Sequence, residues 1–271
     1  MPARYAEIAA DLHRRIRTGD LRPGQRLPTE RELALHYDAS RNTIRDAVLR
    51  LRGLRLLESR HGLGTFVLPP PVLFPTTLTP RDGSGGGDGP AWRAEASRHN
   101  RVARADTVVV EVLQADGETA AALDVPEGEP LLARHQRRYL SRGPGTSASG
   151  DMDGDSDVPW LIQTTYYPLA FAERGAFRLL RAEEIEEGSV AYVQDALGIR
   201  QARYCDTIHV RPPEKDEIDF FGLPAEGTVP VFVQRRTSWS QEGRPFRYTV
   251  TVYPTDRNQL VIEAELGSDG A

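Results

Sequence analysis

The sequence predicts an α+β protein of two domains, a small basic helical domain followed by a larger acidic domain built on an antiparallel sheet. Three observations support this prediction. The chain has 271 residues, more than one domain usually contains. Residues 1–68 hold 13 arginines and 8 acidic residues, a net charge of +5, whereas the rest of the chain carries −10. Apolar residues recur at helical spacing in the first part and alternate as in strands in much of the second.

Composition excludes several classes of protein. No apolar run approaches the roughly 20 residues that cross a bilayer, so we expect a soluble protein with no membrane partner. The single cysteine, Cys205, can form neither an internal disulfide nor a multi-cysteine metal site. Because Met1 is not followed by an apolar signal region, a cytoplasmic location fits best. His135 and His209 have no metal-ligand spacing, and no cofactor motif is present, so we expect no metal and no cofactor.

Three helices are predicted at the N-terminus. The first ends at Gly19, the second follows a capping box formed by Thr29 and Glu32, and the third runs from Ser40 to about Gly53. The short joint between the second and third is typical of a helix-turn-helix. The inward apolar residues are Ile8, Leu12 and Ile16 in the first helix, and Ile44, Val48 and Leu51 in the third.

A hairpin follows the helices, with strands at residues 56–58 and 65–68 around a glycine-containing turn. Three helices and a hairpin predict a winged helix-turn-helix. Arg41, Thr43 and Arg45 share the outward face of the third helix, where guanidinium groups can bind guanine edges. The alternative is an ordinary solvated helix face.

Two segments have the composition of linkers or loops. Prolines at 69–71 and the glycine-rich stretch 82–90 predict a flexible linker over residues 69–91. Residues 143–158 predict a disordered insertion at a hairpin tip. The predicted domains are therefore residues 1–68 and residues 92–267.

The second domain contains a weak internal repeat. Residues 125–130 resemble residues 223–230, and each copy continues into a Gln-Arg-Arg run at 136–138 and 234–236. Each copy predicts a helix, a strand, a turn and a strand. A helix between the copies is predicted over residues 188–197, with Ser189 able to cap it and Gly198 able to end it.

Residues 4–68 resemble the DNA-binding domain of the GntR family of bacterial transcription regulators. The resemblance rests on the runs at residues 27–34 (LPTERELA), 40–47 (SRNTIRDA) and 62–67 (GLGTFV). It implies a homodimer bound to double-stranded DNA at a palindromic operator. The implied DNA-binding residues are Arg31, Arg41, Asn42, Thr43, Arg45, His61 and Gly62, with Asn42 where threonine is common.

The remainder, about residues 101–266, resembles the UTRA effector-binding domain of the HutC-type branch, which has a chorismate-lyase-like fold. The matching runs are at residues 123–128, 166–168, 188–190 and 253–258. The resemblance implies that a small metabolite, often an acid or a phosphosugar, binds between the repeated halves and alters DNA affinity.

The chain departs from the family pattern where carboxylates hold sugar hydroxyls, because Gln163 and Arg247 occupy those positions. The candidates for binding an anionic effector are instead Arg137, Tyr166, Arg235, Arg247 and Arg257. Strand salt bridges or exposed positions are the alternative for these arginines, and core packing is the alternative for Tyr166.

The sequence thus predicts an effector-responsive transcription regulator, a repressor rather than an enzyme, located in the cytoplasm and associated with the nucleoid through DNA. Two alternatives stay open at this point. One is an enzyme that acts on a small acid with the lyase-like fold. The other is an architectural DNA binder that responds to no ligand.

Overall fold

The computed structural model describes residues 4–54, 56–60, 62–69, 73–78, 89–142, 157–225 and 227–262. The chain divides into two compact units. The N-terminal unit comprises Met1–Val72 with Pro212–Glu214 and Gly222–Val229, and the sheet unit comprises the rest of the chain from Leu73 onward. Within the described ranges, no helix is long and apolar enough to cross a membrane.

Three helices and a hairpin form the N-terminal unit. They are α1 (Arg4–Thr18), α2 (Glu30–His36), α3 (Arg41–Gly53), β1 (Leu57–Arg60) and β2 (Gly64–Val67). The predicted apolar stripes form its core, since Ile8, Leu12, Ile44, Val48 and Leu51 are all buried and Ile16 packs against them. The winged helix-turn-helix prediction is confirmed.

Side chains fix the starts of α2 and α3. Thr29 Oγ1 accepts a hydrogen bond from the backbone N–H of Glu32 at 3.3 Å, and the Glu32 carboxylate accepts one from the N–H of Thr29 at 2.7 Å. This is the predicted capping box, and its hydrogen bonds lower the pKa of Glu32. Ser40 Oγ accepts from the N–H of Thr43 at 3.1 Å. The two caps set the places at which the helix-turn-helix bends.

The sheet unit is built on a seven-stranded antiparallel sheet in the order β4-β6-β7-β10-β9-β8, with β5 also paired to β6. A separate parallel pair joins β3 and β11. The strands are β3 (Phe74–Thr77), β4 (Arg101–Ala105), β5 (Val109–Gln114), β6 (Pro130–Arg142), β7 (Val158–Pro168), β8 (Gln201–Arg211), β9 (Val231–Ser240), β10 (Pro245–Pro254) and β11 (Asn258–Val261). The helices are α4 (Gly89–Arg98), α5 (Gly117–Leu123), α6 (Ala170–Glu173), a 3-10 helix (Phe177–Leu180), α7 (Ser189–Leu197) and α8 (Lys215–Phe221).

The predicted repeat appears in the order of these elements. The first copy is α5, β6 and β7, and the second is α8, β9 and β10. Strands β7 and β10 pair with each other, so the copies meet in the middle of the sheet. Residues 143–156 of the predicted insertion, which joins β6 to β7, lie outside the described residues.

Two local predictions were wrong. Residues 69–91 are not linker throughout, because Phe74–Thr77 forms β3 against β11 and α4 begins at Gly89. Phe74 and Thr76 are buried, so this short alternating segment gains enough packing to be ordered. Helix α7 ends at Leu197 with Gly198 as its C-cap, as predicted, but its N-cap is Gly188, and Ser189 is the first helical residue.

Candidate DNA-binding surface and effector cavity

The start of α3 presents polar side chains to solvent. Arg41, Asn42 and Arg45 are exposed and Thr43 is half-buried, while the opposite side of the helix packs into the core. Thr43 Oγ1 lies 2.8 Å from Ser40 Oγ, which holds the hydroxyl at the helix start. A helix N-terminus with arginines beside it favours phosphate and base acceptors.

Arg45 is oriented by an acidic neighbour. Its guanidinium donates to both carboxylate oxygens of Glu30, the first residue of α2, at 3.4 Å. The Arg45 side chain is exposed and that of Glu30 is partly exposed, so the pair adds little to stability and can open when a stronger acceptor arrives.

The remaining predicted DNA-binding residues fall on α2 and the hairpin. Arg31 is exposed on α2. Gly62 occupies the hairpin turn with φ of +71°, a conformation that favours glycine. His61 lies outside the described residues. Arg26, which the sequence pattern did not single out, forms an isolated antiparallel backbone bridge with Phe66 of β2.

One face of the large sheet is lined with buried polar side chains, and we call it the polar face. Successive residues of a strand point to opposite faces, and the pairing register therefore determines its members. They are Arg134, Gln136 and Arg138 of β6, Gln163 and Thr165 of β7, Arg247, Thr249 and Thr251 of β10, and Gln234, Arg236 and Ser238 of β9. All but Gln136 are buried. Because buried arginines are rare unless they are paired or functional, this face is the first place to look for a site.

Two arginines of the polar face, Arg134 and Arg236, hold other parts of the fold through hydrogen bonds. Arg134 donates to the backbone carbonyls of Leu179 at 2.6 Å and Glu183 at 2.6 Å, which fixes the chain after the 3-10 helix. Arg236 donates to both carboxylate oxygens of Asp206, at 2.7 and 2.5 Å.

A small cavity of about 20 Å³ opens on the polar face. Arg138 and Arg247, each 1% exposed, contribute to its wall. Among the described wall residues, the one carboxylate is that of Glu184, which is paired with Arg93 of α4 at 2.7 Å. The wall residues are Gly89, Arg134, Gln136, Arg138, Gln163, Thr165, Glu184, Ile185, Ser189 and Arg247. Three arginines and one paired carboxylate give the cavity a positive potential suited to an anion.

Helix α4 covers Arg138. The guanidinium carbon of Arg138 lies 4.7 Å from the ring centroid of Trp92, and its Nη2 donates to Gln136 Oε1 at 3.1 Å. Trp92 is 4% exposed. The ring therefore holds one face of the guanidinium in an apolar setting, which strengthens its attraction for an anion.

Four of the five predicted effector residues are not in the cavity wall. Arg247 lines it, but Arg137, Tyr166 and Arg235 lie on the opposite face of the sheet. Arg137 is exposed, over the ring of Phe220 at 5.1 Å. The prediction chose the first arginine of each Gln-Arg-Arg run, and a shift of one residue along a strand moves a side chain to the other face.

Arg257, the fourth, holds a loop. It donates to Asp256 Oδ1 at 2.9 Å and to the carbonyl of Phe221 at 3.1 Å. These partners give it a structural role at the end of β10.

The opposite face contains a separate hydrogen-bonded cluster. Arg235 donates to Glu118 at 2.7 Å, and the hydroxyl of Tyr248 donates to the same carboxylate at 2.5 Å. The hydrogen bond from Arg235 is the main reason that the pKa of Glu118 is lowered, whereas burial followed by the bond to Glu118 raises the pKa of Tyr248. Tyr166 stacks on Tyr248 with centroids 5.9 Å apart. Tyr166 therefore packs within the fold, the alternative considered from the sequence.

Among the described residues, no group of three or more His, Cys, Asp or Glu side chains could hold a metal ion. His135 Nδ1 lies 2.9 Å from Thr164 Oγ1, and His209 lies against Arg235.

Two family models match the chain. Residues 4–67 match the model of bacterial regulatory proteins of the gntR family, and residues 156–259 match the UTRA domain. An uncharacterized HTH-type transcriptional regulator of Rhizobium meliloti is 29% identical over 96% of this chain and 95% of its own length. The HTH-type transcriptional repressor NagR of Bacillus subtilis is 24% identical over 95% of this chain and 93% of its own.

Solved structures share the fold. One GntR-family regulator covers 98% of this chain and 99% of its own with a TM-score of 0.69 at 23% identity. PhnF from Mycobacterium smegmatis covers 96% and 99% with a TM-score of 0.54 at 23% identity. With a GntR helix-turn-helix followed by a UTRA domain, the architecture of the HutC-type branch, the chain belongs to the GntR family of bacterial transcription regulators.

Proposed function

We propose that this chain is a homodimeric repressor that binds a palindromic operator and changes its DNA affinity when a small anionic effector enters the cavity on the polar face. The observation that carries the proposal is the union, in one chain, of a basic winged helix with a cavity walled by buried arginines. NagR is named as a repressor, and so is MngR of Escherichia coli, the repressor of a mannosyl-D-glycerate transport and metabolism system, which is 22% identical over 96% of this chain.

In the proposed complex, the N-terminal half of α3 enters the major groove. Arg41 and Arg45 bind guanine edges, and Asn42 and Thr43 take base or phosphate contacts. Arg31 and the wing residues His61 and Gly62 contact the DNA backbone. In the absence of DNA, Glu30 holds the Arg45 guanidinium, and in the complex a guanine edge takes the place of the Glu30 carboxylate.

The effector binds by its negative charge. Arg138 and Arg247 provide two buried cations, Gln163 and Thr165 provide polar groups beside them, and Ser189 lies at the positive end of α7. Because Arg247 adds a cation at a position where the family pattern has a carboxylate, a carboxylic or phosphorylated acid fits better than a ligand rich in sugar hydroxyls. An effector that prefers one arrangement of the dimer shifts the population away from the DNA-competent one.

The proposed role is regulatory rather than catalytic and requires neither a cofactor nor a metal ion. Since its target is chromosomal DNA, we place the protein in the cytoplasm, associated with the nucleoid.

The experiment begins with DNA selected by the full-length protein from a randomised duplex library. Fluorescence anisotropy then measures affinity for that DNA at fixed salt, with random duplex as competitor, while small mono- and dianionic metabolites are added. We expect competitor-resistant binding that one anion weakens about tenfold or more. Binding no tighter than to random DNA would contradict the proposal.

Two variants locate the effector. Arg247→Gln should raise the anion concentration needed for release about tenfold or more, because a buried cation is lost from the wall. Arg137→Gln removes a cation from the other face of the same sheet and should leave the response unchanged. Equal responses in the two variants would place the effector outside the cavity.

A further inference from the structure

The turn of the wing hairpin carries an exposed leucine. Leu63 is 61% exposed, and its backbone N–H donates to the carbonyl of Arg60 at 3.0 Å, which closes the turn. It stands between Gly62 and Gly64, whose φ angles are +71° and +118°. Among the described residues of the turn, Gly62 and Gly64 carry no side chain, and Leu63 is the exposed apolar one.

Two arginines flank this tip. The Arg26 side chain lies against Gly64 so closely that a Cβ there would come within 2.7 Å of its Nε. Arg60, at the end of β1, holds its guanidinium 4.9 Å from the ring centroid of Phe66. Arg60 also lies 3.5 Å from the Glu58 carboxylate. The turn that carries Leu63 is thus bordered by two arginine side chains, one against Gly64 and one against Phe66.

The tip is linked to the start of α3 through residues 26–30. The N–H of Leu27 donates to the carbonyl of Thr65 in β2 at 2.7 Å, which ties this segment to the wing. At its other end, Glu30 pairs with Arg45 of α3. One continuous backbone segment thus connects the wing to the helix that we place in the major groove, and the proposed function already places Gly62 of the turn against the DNA backbone.

A single exposed leucine is common on protein surfaces and by itself needs no explanation. The position of Leu63 is what distinguishes it, because it is an exposed apolar side chain on a hairpin turn that is bordered by two arginines, side chains that suit phosphates. Leucine is among the side chains that DNA-bending proteins insert between base pairs from the minor groove. We propose that Leu63 is such a wedge, inserted at a base step of the operator, and that it bends the DNA. This inference rests on the DNA-binding function proposed above.

The test compares full-length wild type with Leu63→Ala and Leu63→Met on the selected duplex. Bending is measured with circularly permuted fragments, and unstacking is measured by 2-aminopurine placed at successive positions of the site. Leu63→Ala should abolish the bend and the fluorescence increase and weaken binding to the selected duplex about tenfold. Leu63→Met keeps an apolar wedge and should keep both signals.

The matched control is Leu180→Ala, which removes a comparably exposed leucine, 46% exposed, from the sheet unit and should change neither signal. Binding to random duplex and the dependence of affinity on salt should be the same for wild type and Leu63→Ala, because no phosphate contact is removed.

A selected duplex that wild type leaves straight, or that Leu63→Ala bends as wild type does, would overturn the wedge while leaving the regulator intact. A Leu63→Ala protein that loses random-DNA affinity in parallel would also overturn it, because Leu63 would then only shape the turn. Failure of wild type to select any sequence is a different result, and it would refute the proposed function itself.

Discussion

The two copies of the repeat place an arginine at the same position of the polar face, but in different surroundings. Arg236 of the second copy is held by both oxygens of Asp206 and by the carbonyl of Leu78. Arg138 of the first copy lies over Trp92 and lines the cavity. The comparison shows that one repeated side chain can stabilise the sheet in one half and build a binding surface in the other. In the second half the guanidinium is held by the Asp206 carboxylate of the neighbouring strand, and in the first half it lies against the indole ring of Trp92 on α4.

Replacing Arg236 should give the largest effect on stability. Arg236→Ala leaves the Asp206 carboxylate, 14% exposed, without its buried cation, so we expect the free energy of unfolding of the sheet unit to fall by about 3 kcal/mol. Urea unfolding followed by tryptophan fluorescence measures it, since Trp92, Trp160 and Trp239 all lie in this unit. Adding Asp206→Asn to Arg236→Ala should recover part of the loss. A loss below about 1 kcal/mol would show that the ion pair does not support the fold.

Replacing Arg138 should cost less stability and more function. The contacts that Arg138→Gln removes include the stacking on Trp92 and the bond to Gln136. We expect the free energy of unfolding to fall by about 1 kcal/mol, less than for Arg236→Ala. The affinity for the anionic effector should fall about tenfold or more, measured by the release of selected DNA. If Arg138→Gln instead destabilised the protein as much as Arg236→Ala, the two repeats would use this arginine in the same way.

The sequence predicts the N-terminal unit well because short-range signals define it. The capping box at Thr29, the cap at Ser40 and the stripe containing Ile44 each specify a local structure that the tertiary fold keeps. The strand at Phe74–Thr77 was missed because its partner, β11, is about 180 residues away and proline-rich surroundings resemble a linker.

The candidate site was predicted only in part. Arg247 was found, but the choice between Arg137 and Arg138 depends on which face of β6 the hairpin register directs inward. In the sequence, both residues precede a long insertion, and neither has a local neighbour that distinguishes them. The cavity also depends on Trp92 and Glu184, which lie far apart in the chain and meet only in the folded unit.

The smallest expected effect on stability is on the face of the sheet opposite the polar face, where Arg235 of the second copy pairs with Glu118. Glu118 and Arg235 form a pair that is partly open to solvent, so Arg235→Gln should lower the free energy of unfolding at pH 7 by about 0.5 kcal/mol. Arg235 holds the pKa of Glu118 below its ordinary value, so the pair stabilises the fold above the unfolded pKa of about 4.3 and ceases to do so as the pH falls through the lower folded pKa. The part of the difference between wild type and Arg235→Gln that comes from Glu118 should therefore shrink toward zero as the pH falls below about 4.3 in urea unfolding. Arg137→Gln, which leaves the Glu118 pair intact, should show no such trend, and a difference for Arg235→Gln that grew on acidification would mean that Arg235 acts through a partner other than this carboxylate.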